Sequence, residues 1–135
     1  MLGDILITRC RSEEAQALLD LWTTAGVTSS PTDSVEDLHV VIQDPAAYVV
    51  VAKTQETIVG CIIGTFDGWR GNISRLAVLP EYRRYGIART LVADVEGWLI
   101  KRGAKVINEI NHFFILSSSF FWFIPLVPGA VYEDE

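Results

Sequence analysis

Histidine and cysteine are scarce, with two of each in 135 residues. His39 and His112 stand far apart, so no cluster has metal-ligand spacing and no metal site is expected. Cys10 and Cys61 are likewise distant, each in an apolar segment. Without a CxxC pair or a disulfide-like spacing, both are expected as reduced, buried thiols of a cytoplasmic protein. Positive charge is also short: 11 Lys and Arg face 17 Asp and Glu, a net −6. That excludes the broad basic surface that nonspecific nucleic-acid binding needs. The phosphate-binding patterns GxxxxGK(S/T) and GxGxxG are both missing. No repeat, low-complexity tract or linker divides the chain, and residues 1–135 are expected as one domain. The start carries Asp4 and no long apolar run, unlike a signal peptide. From Phe113 to Tyr132 no residue is charged. The apolar part of this run, "FFILSSSFFWFIPLVP", is too short and too broken by proline for a spanning helix of about 20 apolar residues. A buried strand and helix, or a subunit interface, is expected there, with no membrane role.

What is present reads as a mixed α/β sheet in the order β α α β β β α β, followed by an ambiguous tail. "DILITRC" alternates as a first strand, and Ser12 is expected to cap a helix whose apolar face holds Ala15, Leu18, Leu19 and Trp22. Ser34 and Asp37 have the spacing of a capping box for a second helix to about Gln43. "YVVVAK", "TIVGCIIGTF" and "NISRLAVL" are the next three strands. A third helix follows Gly86, with an apolar stripe from Ile87 through Leu91, Val92, Val95, Trp98 and Leu99, and Gly103 ends it. "AKVINEI" is a fifth strand.

The few basic residues are concentrated. Arg70, Arg75, Arg83, Arg84 and Arg89 face only Glu81 across residues 70–89, a local +4 that leaves −10 for the rest of the chain. A basic spot in an acidic shell suits a small anion better than a polyanion. The spot coincides with "LAVLPEYRRYGIARTLV", a strand, a glycine turn and a helix start. The first amides of a helix lack internal partners, and its dipole is positive there, so a diphosphate satisfies both. Glycine at 86 permits close backbone approach.

This stretch resembles the acetyl-CoA-binding motif of the GCN5-related N-acetyltransferase (GNAT) superfamily. Val78, Pro80 and Arg83 match its first half; Arg83, Gly86 and Ala88 match its second, with Ala88 in place of the commoner glycine. The order of elements extends the resemblance over residues 3–110, and residues 111–135 diverge from it. The resemblance implies a GNAT-like fold with acetyl-CoA as cosubstrate. It implies that the amides from Arg84 through Tyr85, Gly86, Ile87 and Ala88 to Arg89 take the diphosphate, with Arg83 and Arg84 adding charge-assisted bonds. It further implies that the backbone of Leu76, Ala77 and Val78 pairs with the pantetheine arm, in a slot opened by a bulge in the fourth strand. The Val78 amide would polarise the thioester carbonyl.

Transfer to an amine also needs a base, since an alkylamine of pKa about 10.4 is mostly protonated at pH 7. Relatives often carry a glutamate on the fourth strand, where this chain has Asn72 and Ser74. Asp67 is the nearest acid in sequence and a candidate base, read first as a loop-capping aspartate; Glu36 and Asp37 are weaker candidates. The family's tyrosine acid has no equivalent at the ungapped position, which falls on Phe121 and Trp122; Tyr85 and Tyr132 are candidate substitutes, and turnover does not require one. Trp22, Trp69 and Arg70 are expected on the acceptor side, Trp22 with core as its alternative. The acidic surroundings favour a cationic amine. Pro125 interrupts the last expected helix, so the tail is expected to pack irregularly or to be completed by a second subunit in a homodimer. Two other readings stand beside an N-acetyltransferase: a non-catalytic acyl-CoA-binding sensor, and an assembly module built on the apolar tail.

Overall fold

A computed structural model describes residues 4–109 and 131–134, with side-chain surroundings through residue 108. Strand β1 (Leu6–Arg9) leads through a 3₁₀ turn (Ser12–Glu14) into α1 (Ala15–Ala25), then α2 (Val35–Gln43). Three long strands follow, β2 (Ala47–Thr54), β3 (Thr57–Phe66) and β4 (Gly71–Val78). A 3₁₀ turn (Pro80–Tyr82) precedes α3 (Ile87–Lys101), β5 (Val106–Glu109) and β6 (Val131–Asp134). The sheet order is β1-β2-β3-β4-β5-β6, antiparallel through β4; β5 then joins parallel to β4 and β6 parallel to β5. The mixed α/β sheet and its element order agree with the sequence reading.

Local chemistry explains most boundaries. Gly26 closes α1 with φ +85, and the Val27 amide bonds back to Trp22 O at 3.0 Å, the bonding of a glycine C-cap. Ser34 caps α2 by accepting from the Asp37 amide at 3.1 Å. The expected cap at Ser12 is corrected. The turn starts from Arg11, whose amide donates to Glu14 Oε1 at 2.8 Å. Ser12 instead ties α1 to α2, its carbonyl to His39 Nε2 at 3.0 Å and its hydroxyl to Gln43 Nε2 at 3.1 Å. Glu14 also ion-pairs with Lys53, which is buried on β2. The tail expectation is corrected in part: Val131–Asp134 add a strand to this chain's own sheet. Phe113–Ala130 lie outside the described residues.

The sheet separates two apolar cores. On one face Leu18, Leu21 and Trp22 of α1 and Leu38 of α2 pack on Val49, Val51, Cys61, Ile63 and Ala77. On the other, Ile87, Leu91, Val95 and Leu99 of α3 pack on Val50, Ile62, Ile73, Leu76 and Val78. The α3 helix sits unusually close to β3, because a Cβ added at Gly64 would fall 2.6 Å from Val95 Cγ1. Val95 is β-branched on a helix, so its methyl cannot swing aside. Gly64→Ala is therefore expected to destabilise the fold by about 1–3 kcal/mol, the usual range for overpacking, read as a lower urea midpoint. Tyr48 adds a polar fastening, its hydroxyl donating to Asp94 Oδ2 at 2.8 Å while its ring stacks on Trp98.

Candidate active site

The β4 strand carries one residue more than β3 between the pairs Ile63–Ser74 and Cys61–Ala77. Arg75 takes up the excess with φ +56, a conformation that costs a non-glycine residue about 1–2 kcal/mol. The β4–β5 ladder runs to Ile73–Glu109, where the described part of β5 stops, and among the described residues no strand pairs with Ser74–Val78 on that side. Leu79 donates to Val59 O at 2.9 Å, so the adjacent Gly60–Val78 pair is a non-hydrogen-bonded one. The amide and carbonyl of Val78 accordingly point away from β3, to the other edge of β4. Leu76, Ala77 and Val78 have buried side chains, leaving backbone as their chemistry at this edge.

Nine residues past Val78, α3 begins at Ile87. Gly86 precedes it with φ +85 and offers no side chain to cap the amides of Ile87, Ala88 and Arg89. These three donors have no intrahelical acceptor. The Gly86 carbonyl takes the first helical bond, from the Thr90 amide at 3.0 Å, and also the Thr90 hydroxyl at 2.9 Å. Apart from its chain neighbours, no atom of the described residues lies within 4 Å of a Cβ built on Gly86. Arg84, Tyr85 and Arg89 are exposed around it.

Arg83 departs from expectation. Its Nε donates to Val78 O at 2.8 Å and its Nη2 to Ala25 O at 3.3 Å, the last carbonyl of α1. The guanidinium ties the end of β4 to the end of α1 and does not extend into the space beside Gly86. Charge for an anion comes from Arg84 and Arg89 and from the helix itself.

The acceptor-side expectations are corrected by distance. Asp67, Trp69 and Arg70 form the tip joining β3 to β4, at the end of the sheet opposite Val78. Gly71 to Val78 alone spans about 23 Å at roughly 3.3 Å per residue. Asp67 Oδ1 accepts from the amides of Arg70 at 2.7 Å and Trp69 at 2.8 Å, and these bonds hold its carboxyl below the usual range. Asp67 closes a turn, the role first read for it, and is remote from the Val78 edge. The Arg70 guanidinium lies over the exposed Trp69 ring at 4.5 Å. Trp22 is core, 4% exposed. Asp37 serves its own helix cap. Tyr85 is exposed at the start of α3, beside the unfilled amides. Tyr132 lies on β6 opposite Ile107 with its side chain outside the described part, as are Phe121 and Trp122.

One constellation has no sequence signal. Trp22 Nε1 donates to Cys61 Sγ at 3.0 Å, and the Cys61 thiol donates to Arg75 O at 3.1 Å. The Arg75 guanidinium returns over the Trp22 ring at 4.6 Å and forks onto Asp33, at 3.1 Å to Oδ1 and 3.2 Å to Oδ2. Asp33 Oδ2 also accepts from the Ser30 amide at 3.0 Å. Burial pushes the Cys61 thiol up to about 12, and the same cause raises Cys10 to about 12, so both stay protonated at neutral pH. Among the described residues no three His, Cys, Asp or Glu side chains gather as a metal site, and no helix is long and apolar enough to cross a membrane.

Comparison with known proteins agrees with this geometry. The model of the acetyltransferase (GNAT) family matches residues 12–114. An acetyltransferase of Pectobacterium atrosepticum is 31% identical over 98 residues, covering 73% of this chain and 70% of that protein. The crystal structure of the PaiA N-acetyltransferase of Thermoplasma acidophilum with coenzyme A superposes with TM-score 0.63 at 23% identity, covering 75% of each chain. The aminoglycoside acetyltransferase AAC(6')-Iy, bound to a bisubstrate analogue of CoA and acetylneamine, gives TM-score 0.67 at 15% identity, covering 79% of each chain.

Proposed function

The chain belongs to the acetyltransferase (GNAT) family, and on that premise we propose that it transfers an acetyl group from acetyl-CoA to a primary amine in a ternary complex. One observation carries the reading: uncapped amides of Ile87, Ala88 and Arg89 follow a strand whose outer edge from Ser74 to Val78 is unpaired among the described residues. A diphosphate held at the first, with Arg84 and Arg89 beside it, leaves the pantetheine arm to run back along the second. The Val78 amide then donates to the thioester oxygen as negative charge develops on it.

In the transfer, the amine nitrogen attacks the thioester carbon, the C–N bond forms, and the C–S bond breaks to release CoA thiolate. At pH 7 fewer than about one amine in a thousand is neutral for a pKa near 10.4, so a proton must leave before attack. Asp67 is too distant to take it, and Asn72 and Ser74 are not bases. The proton leaves through water, and solvent or Tyr85 or Tyr132 reprotonates the thiolate. General acid–base assistance is worth roughly 10²- to 10⁴-fold, so a slow but real turnover is expected without it.

The net charge of −10 outside the arginine window favours a cationic acceptor: a polyamine, an aminoglycoside-like amine or a peptide amine. The proposal includes a single domain acting in the cytoplasm without nucleic acid, and a homodimer through the apolar tail that light scattering across dilution would detect. Calorimetry with acetyl-CoA, followed by CoA release with spermidine, neamine and a lysine-containing peptide, tests the function. Binding with turnover supports it. Binding without turnover favours a non-catalytic acyl-CoA sensor, a reading that the remote Asp67 keeps in play. No binding at millimolar acetyl-CoA overturns both.

A further inference from the structure

We infer that Arg75, acting through Asp33, is a positioning residue that fixes the wall past which the acceptor amine reaches the thioester. The inference rests on the transferase reading above and deepens it on the acceptor side.

The path of approach follows from the contacts around Val78. A diphosphate at Gly86 puts the arm along the β4 edge with the thioester at the Val78 amide, three residues, about 10 Å, from the bulge at Arg75. The face of β4 toward α3 is filled: Ile73, Leu76 and Val78 are all buried against Ile87, Leu91 and Val95. The face that carries α1 and α2 is packed at Ala77 too. But the segment leaving α1 borders Val78, since the Arg83 guanidinium bonds both Val78 O and Ala25 O, and the amine's path runs beside that segment. There the segment between these helices, residues 26–34, is drawn down onto β4 by the Asp33–Arg75 pair.

The pair is built for fixed geometry. Both side chains are mostly shielded, Arg75 at 11% and Asp33 at 16% exposure. The two-pronged guanidinium–carboxylate contact sets orientation as well as distance. Arg75 is held on its other side by the Trp22 ring, and its own carbonyl accepts from Cys61, whose sulfur accepts from Trp22. Guanidinium, indole, thiol and peptide thus form a closed circuit around the bulge. Asp33 exports that fixed point to the neighbouring segment, where it also organises the Ser30 amide. A merely adhesive contact between a loop and a sheet would not need the bulge residue itself as its anchor.

The test uses the full chain and the fastest amine among spermidine, neamine and the lysine peptide. Asp33→Asn keeps the shape and removes the charge; Arg75→Gln removes the fork; Arg75→Lys keeps the charge without the fork or the planar stack. The expected result for Asp33→Asn is at least a fivefold rise in amine KM, with the calorimetric Kd for acetyl-CoA within twofold of the parent. Arg75→Lys should fall between parent and Arg75→Gln, and Asp33→Asn with Arg75→Gln together should lose no more than the worse single change. If Arg75→Gln does not fold, the near-isosteric Asp33→Asn still decides the matter. Unchanged amine KM and kcat in a folded Asp33→Asn chain overturn the positioning role alone. A parallel rise in acetyl-CoA Kd overturns it too, since the effect would then be general loosening. A parent chain that binds acetyl-CoA but acetylates none of the amines overturns the transferase reading, and this inference with it.

Discussion

Gly86→Glu is expected to weaken acetyl-CoA binding at least a hundredfold, read by calorimetry, while the chain stays folded. Two costs combine. Gly86 stands at φ +85, where a side chain costs about 1–2 kcal/mol, close to a factor of ten in affinity if the turn relaxes out of shape. The carboxylate would then sit beside the amides of Ile87, Ala88 and Arg89, competing for the donors a diphosphate needs and repelling its charge. Gly86→Ala separates the two costs. Apart from chain neighbours, its Cβ meets no atom of the described residues within 4 Å, so only the backbone cost applies and the loss should stay near tenfold or less. Equal losses in both variants would mean that conformation, not charge, governs the site. Full binding by Gly86→Glu would remove the diphosphate from this helix start.

Trp22→Ala is expected to carry the largest stability loss, about 3–5 kcal/mol, as for other buried aromatic truncations. Domains of this kind have only about 5–15 kcal/mol in total, so a marked fall in the urea midpoint should be evident. Trp22→Phe keeps most of the ring and the surface under Arg75 but drops the N–H donor to Cys61 at 3.0 Å. Its cost should be near 1 kcal/mol, the usual net worth of one hydrogen bond. Were Trp22 an acceptor-lining residue, both changes would instead spare stability and act on amine KM. The 4% exposure of Trp22 argues for the core.

The contrast between Trp22 and Gly86 shows what sequence can convey. Signals that depend on neighbours along the chain survived: β3 was read residue for residue as Thr57–Phe66, and Gly86 marked the start of α3. A glycine at a left-handed position or a Ser–Asp cap acts over three or four residues, so its effect is printed locally. Contacts between distant segments were not printed. Asp67 is the acid nearest in sequence to Asn72, yet the strand itself carries it to the end of the sheet opposite Val78. Arg83 matches a phosphate-binding motif by resemblance, but the carbonyls of Val78 and Ala25 take its donors once α1 packs beside β4. The bulge could be anticipated only through resemblance, and nothing local foretold that Arg75 would bear the positive φ or that Asp33 would answer it.

The seating of α3 has one consequence for how affinity should be interpreted in this molecule. With Val95 pressed onto Gly64 and Leu99 onto Gly71, the helix has no slack against the sheet. Val95 lies eight residues, about 12 Å, from the helix start, so a methyl group inserted beneath it acts as a wedge under a stiff rod. The rod tilts, and the donors at its tip lose their aim. Coenzyme affinity thus becomes a gauge of packing at positions that never meet the ligand.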